Sequence, residues 1–294
     1  YGLIPEGNGY VWIKGTDSGG RRYRLPDLTE KITNDAVNYL DTVSQPFLLF
    51  VTHYNPHLPL QPKPVLVKKY EKKPNPYGSQ VNPLYAAMVE ELDSEVGRLW
   101  LKLEERQLLA NTIFIFISDN GGVVVEEAGD RQPTTMAPYS AGKGTLYEGG
   151  IRIPQIIFHP GLDNGKRITY PTSTVDFLTT LVEWCGVPEP NFTQDGQSFA
   201  KVILNKDVGP DRPLYWHYPH FSNQGGRPSA AIRLGNYKLL RFFETEEVKL
   251  FNLSKDPGET IDLKAGLPAE AARLNGLLTR WLKSVNATLP IKKL

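Results

Sequence analysis

One cysteine in 294 residues leaves this chain without a disulfide framework of its own. Cys185 alone forms no intramolecular bridge, and a Cys-cluster zinc or iron–sulfur site is excluded with it. An excess of either charge is missing as well. The 33 Lys plus Arg residues face 32 Asp plus Glu, a formal charge of +1, which offers no electrostatic reason to bind nucleic acid or an acidic membrane surface. Apolar runs are short: the longest, such as residues 47–51, have strand length and fall well below the ~18 residues of a membrane span. The opening Tyr1-Gly2-Leu3-Ile4-Pro5 has neither an initiator Met nor the basic-then-apolar layout of a signal peptide, and reads as a cut end. At ~150 residues per domain, the length suits one large or two modest domains with a proper core.

What the chain does have is regular patterning. Leu28, Ile32, Ala36, Val37 and Leu40 recur at three- and four-residue steps after a possible N-cap at Asp27, so residues 25–43 read as an amphipathic helix. Residues 46–52 form a continuous apolar run ending in a Pro-rich segment, the pattern of a strand buried on both faces that delivers His53, Asn55 and His57 into a loop. A second long helix is expected at 82–109, with Leu84, Met88, Leu92, Val96, Leu99 and Leu103 on one face and charges on the other. Buried strands follow at 112–117 and 153–158, and a third helix at 174–184 starts from a Thr/Ser cap. Residues 61–83 carry five prolines and read as an irregular surface excursion.

This order predicts an α/β fold with a mostly parallel sheet flanked by helices over residues 1–208. From 209 to 294 the texture changes to a small antiparallel meander at 231–234, 237–243 and 248–253, separated by turn residues, with a last helix at 269–282. In parallel α/β sheets ligands sit beyond the carboxyl ends of the strands. Both the 53–57 segment and Asp119-Asn120 are expected at such ends.

Asp119-Asn120-Gly121-Gly122 brings a carboxylate and an amide oxygen out together, where a hard cation collects oxygen ligands. The same letters also make an ordinary strand-ending turn. Gly142-Lys143-Gly144 sets one lysine between glycines, suited to meeting a tetrahedral oxyanion with its ammonium, or simply a surface lysine in a mobile loop. It lacks the spacing of a nucleotide-binding P-loop. His57 is flanked by Pro56 and Pro59, which restrict the backbone around a ring able to donate a proton. Trp216, His217 and His220 share a segment with Tyr215 and Tyr218, a composition fitted to stacking on a sugar or aryl group, and equally to an edge strand with an aromatic core face.

Taken together, three stretches resemble the sulfatases, the arylsulfatase-type branch of the alkaline phosphatase superfamily. They are 47–50 through Pro56-His57-Leu58-Pro59, Phe116-Ile117-Ser118-Asp119-Asn120-Gly121-Gly122, and Gly142-Lys143-Gly144-Thr145-Leu146-Tyr147-Glu148-Gly149-Gly150-Ile151-Arg152-Ile153-Pro154. The tail, with Trp216 to His220 and Ala231-Ile232-Arg233 to Tyr237-Lys238-Leu239, is similar to that of many glycan-acting members. The resemblance implies an alkaline-phosphatase-like fold and hydrolysis of sulfate esters on a sulfated carbohydrate or an aryl sulfate. It makes Asp119 and Asn120 two of the Ca2+ ligands, Lys143 a sulfate contact, His57 the sulfate-contacting histidine that can serve as general acid, and Trp216, His217 and His220 substrate-binding. It also implies a secreted, periplasmic or lysosomal-type location.

In the family a cysteine or serine within Cys/Ser-x-Pro-x-Arg becomes the formylglycine nucleophile, and no such motif occurs here: Cys185 is followed by Gly186-Val187-Pro188-Glu189. The family's acidic pair and its Gly-Lys-Trp-His stretch are unmatched too. The expectation is a chain that begins about a third of the way into a sulfatase, with an incomplete Ca2+ site and no turnover on its own. A phosphodiesterase or phosphonate hydrolase of the same superfamily, or a non-catalytic anion- or glycan-binding protein, are the alternatives.

Overall fold

The computed structural model describes residues 2–6, 9–13, 25–44, 46–75, 82–127, 131–162, 165–204, 209 and 211–291. The chain divides into two compact units, Tyr1–Thr112 with Gly121–Ala137, and Ile113–Asn120 with Pro138–Leu294.

The first unit opens on an antiparallel hairpin of β1 (Gly2–Glu6) and β2 (Gly9–Ile13), with Gly2 opposite Ile13. Helix α1 (Leu25–Thr42) buries Leu28, Ile32, Ala36 and Leu40, a four-residue stripe that faces α3 (Pro83–Glu105). Asp27 lies inside the first turn of α1, so it is not the cap expected there. Helix α3 begins as its sequence demands: Asn82 caps it by accepting from the Leu84 amide at 3.0 Å, and Pro83 takes the first position, where a missing N–H costs nothing. Its inner face differs from the apolar stripe expected. Glu91 and Glu95 are buried with Ala87, Met88, Leu99 and Leu103, because each carboxylate has a partner. Glu91 accepts from Asn55 Nδ2 at 3.1 Å and from the Lys63 amide, and Glu95 pairs with Arg98 at 2.7 Å.

Two expectations fail here. Residues 46–52 form no strand among the described residues, and exposure alternates along them, with Leu48 and Phe50 more than two-thirds exposed. A run buried on both faces needs a ladder partner on each edge, and none pairs with it among the described residues. The supposed excursion at 61–83 instead holds α2 (Pro64–Lys72), started by Pro64 at its first turn and tied to α3 by the Lys69–Glu90 ion pair at 2.7 Å. Residues 76–81 of that stretch lie outside the described residues.

In the second unit β3 (Phe114–Ile117) pairs with β4 (Gln155–Phe158) antiparallel, not parallel, with Phe114 opposite Phe158. Parallel pairing needs a crossover connection of a dozen or more residues, usually a helix packed on the sheet. The connection from 118 to 154 contains only the one-turn α4 (Glu148–Ile151) among its described residues, so the chain returns antiparallel. The strands are also less buried than their composition suggests: Ile156 and Ile117 are exposed. Helix α5 (Asp176–Cys185) starts without the Thr/Ser cap; Val175 holds the cap position, and Asp176 itself reaches back to accept from the Ser173 amide at 2.7 Å. Buried Asp176 also accepts from the Gln197 amide at 2.9 Å and pairs with Arg212, joining α5 to the residues before α6 (Ala200–Ile203) and to the entry of the next sheet.

That sheet is the meander read from the sequence, with one more strand: β5 (Leu214–Tyr218), β6 (Ser229–Leu234), β7 (Tyr237–Phe242) and β8 (Val248–Asn252), in sequential antiparallel order. Period-two alternation gives it two faces. Ala230, Ile232, Leu239 and Leu250 pack on Leu274 and Leu278 of α7 (Pro268–Ser284). Ala231, Leu240, Phe242 and Phe251 pack on Leu146, Tyr147 and Ile151. The sheet is therefore a sandwich filling between α7 and the glycine-rich segment that carries Lys143.

Leu278 is fully buried, so Leu278→Ala is expected to cost ~2–5 kcal/mol in urea denaturation followed by near-UV circular dichroism. The exposed Leu101→Ala is expected to stay within ~0.5 kcal/mol.

Candidate active site

His57 belongs to the first unit. It stands at an exposed turn closed by its own amide donating to the Tyr54 carbonyl at 2.7 Å, between the cis bonds Asn55-Pro56 and Leu58-Pro59. Its Nδ1 lies 2.7 Å from the Leu58 carbonyl oxygen, an acceptor, so Nδ1 carries the proton in that contact. The loop is fastened to α3 by Asn55, which donates to the Met88 carbonyl at 3.3 Å and to Glu91. His53, also in this loop, is half-buried with both ring nitrogens sealed from solvent and without a hydrogen-bond partner among the described residues; burial holds its pKa below the ordinary value, against the pull of Glu95.

Asp119 and Asn120 follow β3 in the second unit, where the strand ends and the backbone folds on itself. The Asn120 amide donates to Asp119 Oδ1 at 2.9 Å, and Ser118 Oγ donates to the Asn120 carbonyl at 3.0 Å. Asp119 remains exposed. The pair offers two hard oxygen donors, the right chemistry for Ca2+ but too few for its six to eight ligands. Among the described residues no three of His, Cys, Asp and Glu gather to hold a metal ion.

The Lys143 loop is held by close backbone contacts. Thr145 closes it, its amide at 3.2 Å and hydroxyl at 2.9 Å both donating to the Gly142 carbonyl. The Gly149 amide donates to the Ser140 carbonyl at 2.9 Å. A Cβ on Gly149 would overlap the carbonyls of Ser140 and Ala141, and one on Gly150 those of Thr145 and Gly142. These two glycines are required by backbone contact; neither has a positive φ.

Beneath the loop lies a buried ion triad that the sequence reading missed. Lys238 Nζ is 2.9 Å from Glu148 Oε1 and 2.9 Å from Glu259 Oε1, and all three side chains are all but inaccessible. Glu259 meets Lys238 through this oxygen as an ion pair. Its other oxygen accepts the Glu148 amide at 2.6 Å. Glu259 holds a left-handed φ of 53°, a conformation a side chain disfavours and which these contacts offset. Two carboxylates against one ammonium leave one negative charge, partly met by Arg152, 3.6 Å from Glu148. The available signal was a lysine within the otherwise apolar Tyr237-Lys238-Leu239-Leu240, on the face shared by Leu240 and Phe242.

The aromatic segment lies on β5, at one edge of the four-stranded sheet. Trp216 packs partly buried with Leu146 and Phe251. Tyr215 stacks on Trp281 with ring centroids 4.7 Å apart, and His217 Nε2 bonds the Thr288 carbonyl at 2.9 Å. His220 is exposed, with its ring edge-on to Tyr218 at 5.6 Å. A looser form of the nucleophile motif, with Ala for Pro, also escaped the sequence reading: Ser229-Ala230-Ala231-Ile232-Arg233. It lies in β6, with Ser229 to Ile232 fully buried and paired on both sides, which excludes an accessible nucleophile.

Burial pushes the Glu259 carboxyl above its ordinary 4.5, with Lys238 opposing. The native state then keeps a proton that the unfolded chain has released. This contribution to stability is complete below about pH 4.5 and declines as pH rises through the raised value. Glu259→Gln is expected to flatten that decline in urea midpoints measured across pH. Lys238→Met, which strands two buried carboxylates, is expected to cost ~3–5 kcal/mol.

Two family profiles match the chain. The sulfatase profile covers residues 10–187, and a profile described as N-sulphoglucosamine sulphohydrolase, C-terminal, covers residues 141–284. A sulfatase of Formosa agariphila is 33% identical over 97% of this chain and 54% of its own length. Human arylsulfatase A is 29% identical over 76% of this chain and 45% of its own length. Among solved structures, i-CgsB in complex with k-i-k-neocarrahexaose is similar, with a TM-score of 0.76 and 27% identity over 89% of this chain and 55% of that one. The chain thus spans about half the length of the relatives it matches, and its fold is the alkaline-phosphatase-like α/β fold of these structures.

Proposed function

Because this chain belongs to the sulfatase family, we propose that the protein containing it hydrolyses sulfate esters of a sulfated carbohydrate. The observation that carries this reading is the Lys143 loop, held by backbone contacts and a buried ion triad within a stretch that both family profiles match. A sulfate monoester presents a tetrahedral anion, and a loop fixed before the ester arrives supplies its counter-charge without reorganising. The carbohydrate part rests on the N-sulphoglucosamine sulphohydrolase profile and on the glycan complex of i-CgsB.

In this proposal Lys143 pairs with the sulfate oxygens, and its charge offsets what develops on the ester oxygen as the S–O bond breaks. His57 protonates that leaving oxygen. Asp119 and Asn120 are oxygen ligands of Ca2+, which when bound neutralises sulfate charge. Trp216, His217 and His220 belong to the segment that meets the sugar, with exposed His220 the contacting ring and Trp216 and His217 fixing the strand that presents it. No residue of this chain is assigned as nucleophile. A secreted, periplasmic or lysosomal-type setting follows from a polymeric sulfated substrate, which does not cross membranes unaided. No described helix is long and apolar enough to span one.

In the protein containing this chain, Lys143→Ala and His57→Ala are each expected to lower sulfate release from neocarrahexaose by ~10²-fold or more; activity kept within threefold removes the assignment. Ca2+ is expected to raise the melting temperature, and Asp119→Ala to abolish the shift.

A further inference from the structure

The β5–β6 connection, residues 219–228, is pressed backbone to backbone against the lysine loop. A Cβ on Gly226 would overlap the Gly144 carbonyl, and one on Gly144 would overlap Ser222 Oγ. Gly144 needs glycine twice over, since its φ is also 86°. Ser222 Oγ reaches the Gly144 carbonyl at 3.4 Å. The connection is fixed from within as well: the Ser222 amide donates to the Gly226 carbonyl at 3.0 Å, the Gly225 amide to the Ser222 carbonyl at 3.1 Å, and the Gly226 amide to Ser222 Oγ at 2.9 Å. Residue 221 therefore stands at a set distance from Lys143.

That residue is Phe221, and it is 70% exposed. Single exposed apolar side chains are common on protein surfaces and carry no meaning by themselves. This one is held on a turn locked to the residue next to an anion-pairing lysine. Most other rings of the segment are occupied: Tyr215 by Trp281, Trp216 and Tyr218 by the sheet's core, His217 by the Thr288 carbonyl and Phe243, while exposed His220 stands edge-on to Tyr218. A pyranose has an apolar C–H face and a polar rim, so a sulfated sugar asks for a flat ring beside a cation.

We propose that Phe221 is the stacking platform for the sugar ring next to the sulfate, and that the 222–226 turn sets its spacing from Lys143. Phe221 is thereby a specificity-determining residue for the reaction proposed above, on which this inference rests. The ring supplies contact area at little entropic cost, because the turn beneath it is ordered before substrate arrives.

The test uses the protein containing this chain and three readouts: KM and kcat for neocarrahexaose, hydrolysis of 4-nitrophenyl sulfate, and inhibition by inorganic sulfate, an anion with no ring. Phe221→Ala is expected to raise KM for the hexaose about three- to tenfold, the worth of one aromatic contact, with the inhibition constant of sulfate moving less than twofold. Phe221→Trp is expected to restore KM. An unchanged KM in Phe221→Ala, a parallel loss of sulfate inhibition, or no recovery with Trp overturns the platform. Wild-type hydrolysis of the nitrophenyl ester alone overturns the platform and leaves the sulfatase reading standing. Hydrolysis of neither ester overturns both.

Discussion

A lysine with no access to water, placed between two carboxylates, is the interaction on which the second unit depends. An unpaired ammonium in that position is too costly to keep, so Lys238 can lie inside only if Glu148 and Glu259 arrive with it. Glu148 opens the helical turn that follows the lysine loop, and Glu259 ends the 256–259 turn. Strand, loop and turn are distant in sequence, yet each is complete only in the presence of the others. Neighbouring contacts repeat the pattern: Ser140 Oγ donates to the Gly258 carbonyl at 2.5 Å, and Asp256 gathers the amides of Thr260 and Ile261. The rigidity of the Lys143 loop is thus a property of the sheet beneath it.

Space makes a second demand on the same region. Gly149, Gly150 and Gly226 each lie where a methyl group would strike a carbonyl oxygen. Such contacts bring backbone dipoles close together and leave few ways to rearrange them. The loop reaches its shape through glycines that are excluded from every alternative residue by packing and, at Gly144, by φ as well.

Much of the scaffold was legible because its signal is periodic. The stripe of α1 and the alternation of β6 to β8 each give a local pattern that the structure repeats within a few residues. Misreadings came where a local pattern depends on a partner elsewhere. The run at 46–52 has strand composition without a ladder, and Pro64 reads as a breaker although it starts a helix. The antiparallel return of β4 depends on an irregular connection whose path no periodicity encodes. At the site, the Asp119-Asn120 and Lys143 segments were visible by resemblance. The triad was not, since a buried lysine and a strand lysine look alike in sequence until Glu148 and Glu259 are known to meet it. Nor does composition say which rings of 215–221 face inward: Trp216 and Tyr215 do, Phe221 does not.

The two units are interleaved along the chain, which passes from one to the other after Thr112, Asn120 and Ala137. Asp119-Asn120 ends the eight-residue piece, 113–120, that the second unit takes from the middle of the first unit's sequence. No single cut can therefore release either unit by itself. Recombination between relatives at one crossover point in 112–138 would separate either Asp119-Asn120 from the lysine loop or the first unit from its own 121–137 segment.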